Sequence, residues 1–200
     1  MLQIFHIPGT RSSRIVWLAE EMGVPYETKR EVFGQPTPEF LACNSLGAFP
    51  AIRDGDVGMG ESTAIMQYIT ERYGPTPLAP PPGDARRADY LQFLTFGEAS
   101  LAAYMNPVIA TQFTAPDDQK QNFTVEAAKG MFVRRLAAVE HQLAKSEYVA
   151  GEAFTAADIS VGYSLRLGAN FGLGDQYSPI VKADQERVTA RPACQKAMAA

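Results

Sequence analysis

The segment Pro8-Gly9-Thr10-Arg11-Ser12-Ser13-Arg14 places three hydroxyls and two guanidinium groups between the apolar residues Leu2, Ile4, Phe5 and the helical spacing Ile15, Val16, Leu18, Ala19. Hydroxyls at a helix start either satisfy the open N–H groups of the first turn or are presented to a ligand. A second constellation lies in NSLGAFPAIRDGDVGMGESTAIMQYITERYG. Pro50 is placed to enter a short strand, Ala51 to Arg53, and a cis Phe49-Pro50 bond would turn the Phe49 N–H and C=O outward toward an extended peptide ligand. Only about 5–6% of such bonds are cis. Glu61-Ser62 precedes the periodic residues Ala64, Ile65, Tyr68 and Ile69, so Ser62 occupies the first turn of a helix. There it is a cap or first-turn residue, or part of a site where free N–H groups and the positive dipole end receive a carboxylate. Glu61 beside it adds a negative charge. Together they suit a zwitterion, one charge for its amine and one dipole for its acid.

These residues must be held by a mixed α/β segment. Leu2, Ile4 and Phe5 mark a first strand, Ile15 to Ala19 the buried stripe of a first helix, and Tyr26 to Val32 a second strand. A short helical stretch closes near Leu41, followed by strands at Ala51–Arg53 and Val57–Met59 and a helix from about Ser62. The Pro- and Gly-rich stretch GPTPLAPPPGD then interrupts both helix and ladder. Beyond it the pattern is helical over about 86–113, 118–144 and 156–169, with shorter pieces to the end, and Pro107 is expected to bend the first of these. Thr155 and Asp158 form a capping box ahead of an apolar helix. The domains expected are 1–75, a linker over 76–84, and 85–200.

The chain has 200 residues, 46% of them hydrophobic, enough to bury a sizeable core. No apolar run reaches the roughly 20 residues of a membrane span, and the first 25 residues read as strand, loop and helix, not as a leader. A cytoplasmic protein is expected. A net charge of −4 without blocks of like charge argues against nucleic acid and anionic membranes as partners. The two cysteines, Cys43 and Cys194, stand far apart and form no CxxC, so neither a disulfide framework nor a dithiol centre is suggested. No His, Cys, Asp or Glu cluster has metal-ligand spacing, and His6 in a strand and His141 in a helix read as structural.

Over nearly its whole length the sequence resembles the soluble, cytosolic-type glutathione S-transferases of bacteria. Independent parts carry the resemblance: the opening LQIFHIPGTRSSRIVWLAEEMGVPYE, the Pro50 and Glu61-Ser62 constellation, GEAFTAADISVGYSL, and RPACQKA near the end. It implies a thioredoxin-like N-terminal α/β domain with a mixed four-stranded sheet, then an all-helical bundle. It also implies a homodimeric detoxification enzyme that uses glutathione as co-substrate, with no metal, and attaches its thiol to a hydrophobic electrophile. Such enzymes lower the pKa of the bound thiol by a hydrogen bond and a helix-end field.

In the serine-type branch the donor stands four residues before an Arg at the start of the first helix, which is Thr10 here; Ser12 competes. Where the cysteine-type branch has its Cys, this chain has Arg11, which adds positive charge and cannot form a mixed disulfide. The resemblance further assigns Gln35 to the glycyl end of glutathione, Phe49 and Pro50 to its backbone, and Glu61 and Ser62 to the γ-glutamyl group. Gly47-Ala48 lacks the side-chain donor that relatives often carry before the Pro. Tyr104, Met105, Ile109 and Phe113 supply apolar area for the second substrate. Glutathione-dependent peroxide reduction uses the same thiolate and is the alternative enzyme reading; a noncatalytic binding module of the same fold is the other.

Overall fold

The computed structural model describes residues 1–200. It divides into two compact units, Met1–Pro80 with Ala190–Ala200, and Pro81–Thr189.

The first unit is built on a four-stranded sheet in the order β2-β1-β3-β4. Strand β1 (Leu2–His6) pairs in parallel with β2 (Tyr26–Arg30), and antiparallel with β3 (Ala51–Asp54), which pairs antiparallel with β4 (Val57–Gly60). Between β1 and β2 runs α1 (Ser12–Met22), whose Ile15, Val16, Trp17, Leu18 and Ala19 are fully buried. It ends at Gly23, whose left-handed φ of 65° only glycine adopts at no steric cost. Helix α2 (Pro38–Cys43) precedes β3, and α3 (Ser62–Arg72) follows β4. A small core of Phe5, Phe40 and Ala51 lies beneath this end of the sheet, with Cys43 and Phe49 packed against it.

The second unit is helical: α4 (Arg87–Phe96), a π turn (Gly97–Leu101), a 3-10 turn (Ala102–Tyr104), α5 (Met105–Thr114), α6 (Phe123–Leu143), α7 (Ala156–Asn170) and α8 (Pro179–Thr189). The long helix expected over 86–113 is therefore broken, and not at Pro107. Pro107 falls in the first turn of α5, where an N–H has no helical acceptor in any case. The break lies at Gly97, where α7 comes so close that a Cβ would overlap Ser160. Ser160 Oγ donates to the Leu94 carbonyl at 2.8 Å, and Ser164 Oγ donates to that of Gly97 at 2.6 Å.

The last helix, α9 (Pro192–Ala199), belongs to the first unit and not to the helical region in which the sequence reading placed it. Two acids on the polar face of α1 draw it in. Glu21 takes a bidentate pair from Arg191 at 2.6 and 2.7 Å, and Glu20 pairs with Lys196 at 2.7 Å.

Candidate functional site

The sheet register collects the candidate segments. His6 is opposite Arg30, Phe5 opposite Ala51, and Ala51 opposite Gly60. Accordingly the loop after β1, the loop after β2, the residues before β3 and those after β4 all emerge at one end of the sheet. These carry Thr10, Arg11 and Ser12; Gln35; Phe49 and Pro50; and Glu61 and Ser62. An end of a sheet where loops converge above strand termini is where α/β folds bind ligands.

Within the first loop the hydroxyls are not equivalent. Ser12 is fully buried, whereas Thr10 and Arg11 are partly exposed. Ser12 Oγ lies 2.7 Å from His6 Nδ1 and 2.7 Å from Thr10 Oγ1, and accepts from the Ile7 N–H at 3.2 Å. Thr10 Oγ1 also lies 2.7 Å from the Ile7 carbonyl and accepts from the Ser12 N–H at 3.3 Å. Ser13 Oγ accepts from the Gly9 N–H at 3.1 Å. The N-cap of α1 is Arg11, in helical conformation and without a side-chain cap bond, while Thr10 takes the first two N–H groups of the helix, that of Ser12 on Oγ1 and that of Ser13 on its carbonyl. Burial holds the His6 imidazole below its ordinary pKa, with the Ala200 backbone opposing and Arg30 adding to the effect.

At the other side of the site, α3 begins with Glu61 at φ 68°, the single non-glycine residue with positive φ. A side chain held in that region costs of order 1–3 kcal/mol and marks a position fixed for another purpose. Its carboxylate is exposed and makes no cap bond to the helix, so the first N–H groups of α3 keep no side-chain acceptor from Glu61. Ser62, 3% exposed, accepts a hydrogen bond from Arg14 Nη1 at 3.0 Å. Arg14 is fully buried in α1, so a guanidinium lies directly beneath the positive end of α3 and adds to its field. The result is a helix start whose dipole and buried guanidinium suit an anion, with an exposed carboxylate beside it.

The Phe49–Pro50 bond is cis. The Phe49 ring stacks on Phe40 with centroids 4.6 Å apart, which fixes the strand entry over the Phe5 core. Asn44 shapes the turn before it, donating to the Ala48 carbonyl at 2.6 Å and accepting from the Leu46 N–H at 3.2 Å. Gly60 must lack a Cβ because that atom would strike the Asn44 amide. Gln35 is exposed on the loop after β2. That loop is organised by buried Glu31, which accepts from the Thr37 N–H at 3.0 Å and its hydroxyl at 2.6 Å.

The four residues assigned to the second substrate lie in the helical unit and differ from one another. Met105 is fully buried core, Phe113 is 79% exposed, and Ile109 is partly exposed. The Tyr104 ring is covered by Arg135, whose Cζ is 4.0 Å from its centroid and whose Nη2 donates to its hydroxyl at 2.6 Å. Fully enclosed, Met105 has no surface for a ligand.

Arg14, His6, Glu31 and Asn44 were not among the residues picked out from sequence. Arg14 carried a signal, being a charged residue at helical spacing with the apolar Leu18; His6 acts through Ser12 of the following loop, and Glu31 and Asn44 through contacts within their own loops.

Residues 1–71 match the family described as glutathione S-transferase, N-terminal domain. Glutathione S-transferase 3 of Schizosaccharomyces pombe is 31% identical over 97% of this chain and 85% of its own length. Among solved structures, a glutathione transferase from Methylococcus capsulatus aligns with TM-score 0.84 and 25% identity, covering 100% of this chain and 98% of the other. A sphingomonad glutathione S-transferase, solved with glutathione, aligns with TM-score 0.84 and 26% identity over 98% and 97%. With a strand end that gathers hydroxyls, a cis proline and an acid-flanked helix start, and with relatives of this identity along its whole length, the chain belongs to the glutathione S-transferase family of enzymes.

Proposed function

We propose that the chain is a serine/threonine-type glutathione transferase that activates the thiol through Thr10. Glutathione lies along the strand entry at Phe49-Pro50, its γ-glutamyl amine on Glu61 and its carboxylate on the Ser62 end of α3, with Gln35 toward the glycyl end. The thiol loses its proton to solvent, the thiolate accepts a hydrogen bond from Thr10, and the Arg11 charge and the start of α1 favour the anion. The sulfur then forms a bond to an electrophilic carbon, whose leaving group departs with its electron pair. The sphingomonad relative solved with glutathione supports this ligand. A hydrophobic electrophile as second substrate, a homodimer, a cytoplasmic location and a detoxifying role belong to the same reading; no helix is long and apolar enough to cross a membrane.

The observation that carries the choice of donor is burial: Ser12 and Ser13 are fully buried, and of the three hydroxyl residues in the loop only Thr10 is partly exposed. Ultraviolet titration of the thiolate in the binary complex tests it. Thr10→Val should return the bound thiol toward its free pKa near ~8.5. An intact shift in Thr10→Val would remove Thr10 from the role.

A further inference from the structure

His6 is one of two histidines in the chain, 2% exposed, with its Nε2 buried and without a hydrogen-bond partner. Its Nδ1 is the inner end of an unbroken line of polar atoms, His6 Nδ1 to Ser12 Oγ at 2.7 Å and Ser12 Oγ to Thr10 Oγ1 at 2.7 Å.

We infer that His6 is a positioning residue for the thiol chemistry: with its proton on Nδ1 it donates to Ser12, Ser12 donates to Thr10, and the Thr10 proton is released toward the sulfur of the bound thiol. The inference rests on the reading of Thr10 as thiolate donor.

Proton counting gives the direction. A hydroxyl has one proton and two lone pairs. When Nδ1 donates, the lone pairs of Ser12 Oγ are taken by Nδ1–H and the Ile7 N–H, and its proton goes to the nearer of two acceptors, Thr10 Oγ1 at 2.7 Å, over the Ile7 carbonyl at 3.2 Å. Thr10 Oγ1 then accepts from the Ser12 hydroxyl and the Ser12 N–H, and its own proton has two acceptors, the Ile7 carbonyl and the incoming thiolate. The anion is the stronger acceptor. In the opposite tautomer Nε2 carries the proton, Nδ1 accepts from Ser12, and Ser12 Oγ is left with a lone pair that competes with the thiolate for the Thr10 proton. That tautomer also puts an N–H at buried Nε2, which has no hydrogen-bond partner. Orphaned N–H groups are rarer in proteins than underused acceptors, which favours the proton on Nδ1. Burial, with Arg30 on the neighbouring strand, keeps the ring neutral so that a single proton sets the direction.

The test has two parts. In uniformly 15N-labelled protein carrying His141→Gln, which removes the exposed histidine of α6, long-range proton–nitrogen spectra of the glutathione complex at neutral pH report the His6 tautomer directly; Nδ1–H is expected, and Nε2–H would overturn the inference. The bound-thiol titration is then repeated with Thr10→Val, His6→Phe and His6→Asn. His6→Phe should raise the thiol pKa by about one unit, equivalent to about tenfold less thiolate and kcat below that pKa, with KM for glutathione unchanged. His6→Asn, whose amide N–H stands where Nδ1–H stood, should restore most of the loss. If Thr10→Val shifts the thiol and His6→Phe does not, His6 has no such role although the Thr10 reading stands. If Thr10→Val shifts nothing, both fall. Should His6→Phe fail to fold, the tautomer decides alone.

Discussion

Helices α7 and α3 begin in opposite ways. At the start of α7, Thr155 and Asp158 form a complete capping box. Asp158 accepts from the Val149 N–H at 2.9 Å and the Thr155 N–H at 2.7 Å, its second oxygen also lying 2.9 Å from the Thr155 hydroxyl, and Thr155 Oγ1 accepts from the Ala157 N–H at 3.3 Å. At the start of α3 the N-cap residue, Glu61, makes no side-chain bond to the helix, and at the start of α1 the hydroxyls bind one another, a histidine and the Ser12 N–H. The closed start converts polar groups into stability. The uncapped start of α3 leaves its dipole for a ligand, and a φ of 68° at Glu61 shows that an unfavourable backbone is retained there.

The sharpest break of this contrast is Asp158→Ala, which leaves two buried N–H donors unmatched. At about 1–3 kcal/mol for each, the loss should be roughly 2–6 kcal/mol of folding stability, read by denaturant unfolding. A loss under about 1 kcal/mol would show that the box carries no more than an exposed cap does.

The same carboxyl gives a pH signature. Burial raises the Asp158 pKa to about 6, against the hydrogen bonds from Val149 and Thr155 and with help from Asp184. Because the native state then holds the proton more tightly than the unfolded chain, this contribution is present below the unfolded value near ~4 and lost as pH rises through about 6. Two pKa units correspond to roughly 2–3 kcal/mol. Asp158→Asn has no such group, so the stability difference between wild type and Asp158→Asn should change by that amount between about pH 4 and pH 6; a constant difference would mean that Asp158 is ionised throughout, held so by its donors.

The open start responds differently to the parallel change. Glu61→Ala should weaken glutathione binding by about 1.5–3 kcal/mol, roughly 10- to 150-fold in Kd, with folding stability unchanged or slightly raised. Glu61→Gly should be the more stable of the two variants at that φ. Calorimetry of both variants checks the separation, and a Glu61→Ala protein that binds glutathione as wild type does would remove Glu61 from the site.

What the sequence made legible follows the same division. Local signals carried the elements: period-3.6 burial in α1, the Pro50 strand entry, Glu61-Ser62 ahead of α3, and Thr155 with Asp158 three residues on. Contacts between distant residues were not legible. The break at Gly97 depends on Ser160, and α9 joins the first unit through Glu20 and Glu21. Likewise the role of Ser12 depends on a histidine in the preceding strand, and Ser62 on an arginine in another helix. Residue type and spacing located the hydroxyl loop; which hydroxyl lies inside and which faces out is decided by tertiary burial.

The smallest expected effect concerns the cysteines. Arg11 stands at the helix start where a nucleophilic cysteine of the cysteine-type branch would be, and both thiols of this chain are engaged elsewhere. Cys43 is packed against the Phe5, Phe40 and Ala51 core as its side chain crosses toward Gly58, and Cys194 is 1% exposed within α9. Both behave as small apolar groups, and a thiol in apolar surroundings is a poor nucleophile. The double substitution Cys43→Ala and Cys194→Ala should therefore leave the rate of conjugation to a halogenated aromatic within about twofold of wild type, with stability lowered by about 1 kcal/mol per site. If turnover collapses while unfolding and glutathione binding are preserved, a cysteine takes part in the chemistry, the sulfur activated at Thr10 is not the only nucleophile, and a thiol–disulfide reaction has to be reopened for this chain.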